Sequence, residues 1–435
     1  MFSLIAIFVF GCGILGLFAL ERDSTSRPSR ALWIPVAWLL IAGSRPVSEW
    51  LGIKPPNTPD LVLEGSPLDR AVFTGLIALG LIVLAGRWQR VGRFLSANAV
   101  ILLFLFYCAA SVLWSDYPDV AFKRWIKAVG DVVMVLVVVT DRDPTAAVKR
   151  LLVRTAFLLL PLSLAFINFL HVGIRLQYSK ETFTGVTGDK NMLGVDCLVL
   201  GLGSAWLFLQ RWGEKRNGRT GSLIAYGIVF TTAVWLLLKC DSMTALLSFV
   251  IGIGLIVLTT RPASRRNPAL IHLFIIGAIT VSLAALFLDV GILQTVGRDA
   301  TLTGRTAIWN QVINMTTNPL FGSGFESFWL GERLRTFWAM YWFRPNEAHN
   351  GYLEVFLNLG WIGVALLAIL IVTGYRNVFA AWRRDPEIGS LKLAFFPVVT
   401  IYSLTEAGFR MMSLMWIFFL WAIIRVPKKP YAEGA

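Results

Sequence analysis

Charge is scarce in this chain of 435 residues. Asp, Glu, Lys and Arg make up 15% of it, against about 25% in soluble globular proteins. That shortage excludes a soluble enzyme and a disordered chain. Cysteine is scarce too, with four residues, Cys12, Cys108, Cys197 and Cys240. All lie in or beside apolar runs with no C-x-x-C pair, which excludes a disulfide scaffold and leaves packing residues. There are three histidines, His171, His272 and His349. No P-loop, Rossmann glycine pattern, DFG-like motif, metal-ligand cluster, internal repeat or low-complexity linker is found, so chemistry that leans on a bound nucleotide is excluded.

What is there is apolar sequence, 56% of the chain. A transmembrane helix needs about 20 apolar residues, and such runs recur between short basic loops. Thirteen segments stand out, at 3–20, 31–43, 69–86, 95–114, 125–140, 151–170, 191–210, 222–239, 243–260, 269–289, 351–373, 391–408 and 412–425. The second and last are short enough to be tilted, re-entrant or half-helices. The first begins at residue 3 without a basic leader or a clear cleavage site and reads as a retained helix. The expected fold is all-α, a polytopic transmembrane helical bundle of about 12–13 spans. It divides into helices 1–10 over 1–289, a long external loop over 290–350, and helices 11–13 with a short cytoplasmic tail over 351–435, all one integral domain.

The net charge of +14 would suggest nucleic acid in a soluble protein; here membrane orientation explains much of it, and no nucleic-acid partner is expected. One set of loops, with clusters such as Arg87, Arg90, Arg93 and Arg261, Arg265, Arg266, holds most of the basic residues and is read as cytoplasmic. The other set still carries Arg45, Lys123, Arg124, Lys127, Arg175, Lys190, Arg298, Arg305, Arg333, Arg335 and Arg410, among others. Cations on the translocated side work against the topology rule, so an anionic ligand there is the simplest reason for them. Trp50, Trp114, Trp125 and Trp361 sit at segment ends, as an interfacial belt would place them.

Three constellations face that external side. Gly185-Val-Thr-Gly188-Asp-Lys190-Asn191-Met-Leu-Gly194 offers a tight turn with Lys190 and Asn191 as donors at a helix start. The stretch from Gly297 through Arg298, Thr301 and Thr303 to Arg305 leads into an expected amphipathic helix at 305–315, whose apolar positions are Ile308, Trp309, Val312, Ile313 and Met315. Arg305 is expected in its first turn, where a cation opposes the macrodipole and is better understood as serving a ligand. Ala348-His349-Asn350-Gly351-Tyr352-Leu353-Glu354 marks where the loop re-enters the membrane, and the ordinary pKa of a histidine near 6.5 suits His349 to general-base work. Each constellation by itself reads about as well as a plain turn or solvated loop; their common side strengthens the set. The aromatic stretch 325–343 reads as a helix in the membrane interface. Arg45, Arg124, Lys127, Arg175 and Tyr178 face the same way. Asp131, Asp196, Glu354 and Glu406 are acids at or near membrane depth, each a functional candidate. A polyprenyl diphosphate sugar fits this inventory, with its tail in the bilayer and arginines on the phosphates.

At these residues the chain resembles the O-antigen ligase/polymerase superfamily, in particular its bacterial exopolysaccharide polymerase-like branch. The resemblance runs through Leu32 to Trp50, Trp114-Ser-Asp-Tyr-Pro118 with Lys123-Arg124-Trp125, Phe183 to Gly194, Gly297 to Arg305 with Trp309, Pro319-Leu-Phe-Gly322-Ser-Gly324, and Ala348 to Leu353 with Gly360. It implies a GT-C-like membrane glycosyltransferase in the bacterial inner membrane that uses undecaprenyl-diphosphate-linked glycans on the periplasmic face. It implies that His349 activates the acceptor hydroxyl and that Arg305 binds the donor diphosphate, without cofactor or metal and with inversion. Two positions depart from the family pattern: its His-Lys-Asn reads Asp189-Lys190-Asn191 here, and its Ser-Arg turn reads Ser242-Met243-Thr244, so Arg175, Arg124 or Lys190 is expected to supply the second cation. Glu354 or Asp196 is expected to orient His349, and 325–343 to serve as a lid or acceptor platform. Polymerisation of repeat units is the leading activity and transfer of the glycan to lipid A–core the alternative; a lipid-linked-glycan flippase or transporter is the competing class. Chain-length regulators and export proteins are candidate further partners.

Overall fold

The computed structural model describes residues 2–21, 28–53, 65–177, 180–213, 220–287, 301–341 and 344–427. In chain order the elements are α1 (Phe2–Leu20), α2 (Trp33–Ala42), α3 (Pro67–Ala85), α4 (Trp88–Ala97), α5 (Ala99–Ala110), α6 (Pro118–Val139), α7 (Pro144–Asn168), β1 (Ile174–Gln177), β2 (Lys180–Phe183), α8 (Lys190–Gly213), α9 (Thr220–Lys239), α10 (Met243–Thr260), α11 (Ala269–Phe287), α12 (Thr301–Asn314), α13 (Gly331–Met340), α14 (Gly351–Arg384), α15 (Pro386–Tyr402) and α16 (Leu414–Ile423). Short helical turns at Val47–Trp50 and Pro262–Arg266 link longer helices.

Helix starts are written locally. Ser66-Pro67, Asp143-Pro144 and Asp385-Pro386 each put a side-chain acceptor at the cap and a proline where no amide bond is needed. Asp143 accepts from the Ala146 amide at 3.0 Å and Asp385 from that of Glu387 at 3.1 Å. Asp189 does the same for α8, accepting from the Asn191 amide at 2.7 Å.

Each of the thirteen apolar segments contains helix among its described residues, although 391–408 is helical only to Tyr402. Seven helices among the described residues are long and apolar enough to cross a membrane: α3, α7, α8, α9, α10, α11 and α14. This is a multi-pass, all-α membrane protein. The expected segment 95–114 is instead the second arm of a broken pair, with α4 and α5 bent by 86°. The two short segments are short helices, and α16, at 10 residues, reaches roughly 15 Å, half of a bilayer core. Every residue of α16 is buried, and so is every residue of α15 from Gly389 onward. These two pack with α8 at the centre. Around them α1, α3, α10, α11 and α14 turn Phe8, Ile82, Val250, Val281 and Val372 outward, as a surface facing hydrocarbon would.

The loops sort to two ends. At one, Arg87 pairs with Asp141 at 3.2 Å, Asn98 accepts from the Arg425 amide at 2.7 Å, and Lys149 pairs with Glu387 at 2.6 Å. At the other lie the connectors 43–53, 169–189, 240–242, 315–350 and 403–413. A two-stranded hairpin, β1 with β2, adds a small antiparallel element there that helix patterning alone does not announce.

The described part of 305–350 forms a small folded unit. In α12, Ile308 and Val312 pack with Phe328, Phe337, Ala348 and Leu357, while Ile313 faces out. The aromatic stretch is not one helix: 325–330 is irregular and only Gly331–Met340 is helical. This unit is clamped to α14. Gly360 breaks that helix at φ 63°, and the 319–324 loop fills the break. The Trp361 amide donates to Pro319 O at 2.9 Å and the Ser323 amide to Leu357 O at 3.1 Å. Tyr107 gives its hydroxyl proton to the freed Leu359 carbonyl at 3.0 Å. A Cβ on Gly360 would collide with the Leu320 carbonyl. Gly360→Ala is therefore expected to cost at least about 2 kcal/mol, from a positive φ plus the clash, and to lower the melting temperature by several degrees in detergent. An unchanged melting curve would refute the clamp.

Candidate active site

Between α15 and α16 the chain is not helical. The expected span 391–408 ends at Tyr402, and Ser403–Ser413 runs irregularly back into the bundle. Irregular backbone at such depth needs protein partners for its polar groups, and it has them. The Gly351 amide donates to Ser403 O and Glu406 O at 2.8 and 3.0 Å. Asn350 Nδ2 donates to Leu404 O at 3.0 Å, and Arg305 donates to Thr405 O at 2.6 Å. The Met412 amide donates to Asp131 Oδ2 at 2.9 Å, while Trp38 Nε1 donates to Oδ1, also at 2.9 Å. Asp131, offered by sequence as a functional membrane acid, is thus a fully buried strut beneath this connector.

The connector carries Glu406 into a knot of charges. Arg305 meets Glu406 Oε1 at 2.8 Å. His349 Nδ1 meets Glu406 Oε2 at 3.0 Å and Glu347 Oε1 at 3.1 Å. Arg410 reaches Glu347 Oε2 at 3.4 Å, and Asn191 Nδ2 approaches Glu406 Oε2 at 3.5 Å. The Glu406 side chain is only 6% exposed, whereas that of His349 keeps 25%. His349 has φ 50°, and Asn350 directly after it caps α14, accepting from the Tyr352 and Leu353 amides at 3.0 Å. Ala348, just before it, accepts from Trp309 Nε1 at 2.7 Å. The motif around His349 is thus fixed on both sides by backbone bonds.

The electrostatics follow from this geometry. Burial by itself would lower the His349 pKa, but hydrogen bonds and charge from Glu347 and Glu406 outweigh it and lift the ring to about 10. Burial would raise Glu347, yet His349, Arg410 and Arg305 hold it well below the usual carboxylate range. At rest His349 is an imidazolium between two carboxylates. With Nδ1 committed to them, Nε2 is the ring atom left for a ligand. The ordinary histidine value assumed from sequence does not hold here.

Several expected residues converge and others do not. His349, Arg305 and Asn191 meet, and Arg124 lies close by in a cavity that Glu347 and Arg410 also line. Arg305 sits in the second turn of α12, because the helix begins at Thr301; the macrodipole argument for it therefore fails, although its place in the site stands. Arg45 instead ties down the hairpin, donating to Val172 O at 2.9 Å. Arg45 and Arg175 both pair with Glu49, at 3.8 and 3.7 Å. Lys127 lies 5.2 Å over the Phe73 ring. Lys190 opens α8 beside Asn191. Tyr178, Arg298 and the side chain of Thr303 lie outside the described residues. The acids on His349 are Glu347 and Glu406, not Glu354 or Asp196. Glu354 accepts from Trp329 Nε1 and the Ala348 amide, and Asp196 is buried against Gly43. Glu347 was not singled out in the sequence. Arg410 counted only as an external charge and Glu406 only as a membrane acid. The signal was Glu406 and Arg410, two charges four residues apart where the segment 391–408 gives way to 412–425.

Glu347, His349 and Glu406 offer ligand atoms within 4.8 Å of one another, spacing that a metal ion tolerates. Both carboxylates already neutralise guanidinium groups, so a cation would have to displace Arg305 and Arg410 first.

The fold and this knot define a polytopic helical membrane protein with a cation–carboxylate–histidine site at one end of its bundle. The family described as O-antigen ligase matches residues 227–368, a stretch that contains Arg305 and His349. The chain is also similar to the exopolysaccharide production protein ExoQ of Rhizobium meliloti (strain 1021), 29% identical over 314 residues, 66% of this chain and 67% of that protein. Both are likenesses to proteins of the O-antigen ligase and exopolysaccharide production kind.

Proposed function

We propose that this protein is a glycosyltransferase of the periplasmic face of the bacterial inner membrane. It joins undecaprenyl-diphosphate-linked oligosaccharide repeats into an exopolysaccharide. The observation that carries the reading is the meeting of Arg305, His349, Glu347 and Glu406 at one end of an otherwise apolar bundle. The similarity to an exopolysaccharide production protein favours polymerisation over ligation. Of the three membrane acids behind the carrier reading, Asp131, Asp196 and Glu406, the first has both oxygens spent on structure and the last is held by Arg305 and His349.

In the proposed reaction a sugar hydroxyl of one repeat attacks the anomeric carbon of a lipid-linked donor. The new glycosidic bond forms as the bond to the diphosphate oxygen breaks, and that oxygen leaves with the electron pair. His349 first gives its resting Nε2 proton to solvent; the neutral ring then takes the hydroxyl proton at Nε2, and Glu347 and Glu406 stabilise the imidazolium that re-forms. Arg305 exchanges Glu406 for the diphosphate and holds its developing charge. A single displacement inverts the anomeric centre. The protein's own cations supply the charge, so no metal is needed.

The test is reconstitution of the purified protein in nanodiscs with a lipid-linked repeat unit from its host. A ladder on a gel, unchanged by EDTA, is the expected result. Transfer seen only after lipid A–core is added would make it a ligase. Loss of the ladder with EDTA and its return with a divalent ion would overturn the metal-free step. No transfer with either acceptor, from folded protein, would refute the transferase reading.

A further inference from the structure

The site holds a second cationic arm that the reaction above leaves idle. Arg305 rests on Glu406, and Arg410 rests on Glu347 at 3.4 Å; the two glutamates share His349 Nδ1. The arrangement is doubled, with a guanidinium on each flank of the imidazole, each parked on a carboxylate. The Arg410 side chain is half exposed, and it faces a cavity of about 90 Å³. Arg124 lines the same cavity and donates to the Glu326 carbonyl. Elsewhere the walls combine apolar side chains, Phe104 from α5, Val355 and Leu359 from α14 and Trp416 from α16, with Asn346 and Asn358. Glu326 and Glu354 also border the space, and the Glu354 oxygens are turned to Trp329 and the Ala348 amide. Meanwhile the turn Ser242-Met243-Thr244 brings no cation, and its Met243 side chain is exposed.

We infer that Arg410, with Arg124 behind it, is the second cation for the lipid diphosphate, and that the cavity between α5, α14 and α16 takes the first isoprene unit of the tail. The inference deepens the proposed function and rests on it. A diphosphate carries two charged groups, and two guanidiniums on opposite flanks of one histidine match them better than one. At roughly 10–15 Å³ of cavity space per water the cavity has room for several waters, and a methyl-branched alkenyl group fits in their place. A cavity with arginines at one end and Phe104, Val355, Leu359 and Trp416 along its walls suits a phosphate ester of a hydrocarbon. Glu347 then acts as a placeholder: the incoming anion takes Arg410 from it, as it takes Arg305 from Glu406.

The test is binding to the full-length protein in nanodiscs, followed by tryptophan fluorescence, with inorganic diphosphate and farnesyl diphosphate as probes. Farnesyl diphosphate is expected to bind more tightly than inorganic diphosphate. Arg410→Gln is expected to weaken both at least tenfold. Val355→Trp, which fills the cavity, is expected to weaken only farnesyl diphosphate. Glu347→Gln is expected to tighten inorganic diphosphate, and the double change Glu347→Gln/Arg410→Gln, which leaves no unpaired carboxylate, is expected to abolish that gain. Unchanged binding of both probes by folded Arg410→Gln, with a normal polymer ladder, would overturn this inference alone and leave the transferase standing. Equal weakening of both probes by Val355→Trp would overturn the tail site. Wild-type protein that binds neither probe and builds no ladder would refute the transferase reading itself.

Discussion

Replacing His349 with glutamine is expected to cut the rate of glycan transfer by about 10²–10⁴-fold, the usual loss when a positioned base is removed. Donor binding should survive, because Arg305 and Arg410 remain. The fold should survive as well, because the bonds that set this turn belong to Ala348, Asn350 and Gly351 and not to the ring. Glutamine also relieves the site of a buried positive charge, so Glu347 and Glu406 will lean further on the two arginines. Single-turnover transfer measured beside melting temperature and diphosphate binding separates these effects. Transfer at the wild-type rate would remove His349 from the chemistry, and a collapse in melting temperature would make it a structural residue.

A second large effect concerns pH. The base must be neutral to accept a proton, and the two carboxylates hold the His349 pKa near 10 rather than 6.5. Transfer should therefore rise with pH through the neutral range, about tenfold per unit well below that pKa. Glu406→Gln removes one of the two carboxylates on Nδ1, so the rising limb should move at least one unit toward lower pH, while the maximal rate falls because the ring is less firmly oriented. The pKa is higher in the folded state than in the unfolded one. This residue's contribution to stability is thus full below about pH 6.5 and is lost as the pH rises toward 10. A pH–rate profile for both proteins checks the claim. Coincident limbs would mean that another group titrates.

Much of this could be read before any coordinates. Apolar runs locate the thirteen helices, because a bilayer imposes length and continuity on sequence more strictly than water does. Basic residues sort the loops to two ends. His349 and Arg305 stood out as unusual types on the external side, and they meet. The failures have particular causes. Arg45, Arg175 and Lys127 are external cations like Arg305, but charge alone does not say which cation is consumed by Glu49, by a loop carbonyl or by an aromatic ring. Glu406 looked like part of a span because the apolar pattern continues to residue 408, whereas the helix stops at Tyr402 and the acid lies in a break. Arg410 matters only through its meeting with Glu347, 63 residues away, which no local pattern encodes, and Glu347 reads as a plain loop acid although it lies two residues from His349. Asp189, where the family pattern has histidine, has a plain local reason: it caps α8.

The break at Gly360 bears on how a bulky glycan reaches the histidine. The 319–324 loop is stitched into the interior of the helix that begins just after His349, and Trp309 is stitched to the residue before it. Lifting the outer unit would strip the main-chain hydrogen bonds that fill the break in α14. The 319–324 loop, Trp309 and the His349 turn are therefore expected to shift together, so a glycan that widens its approach to the histidine must strain α14 as well.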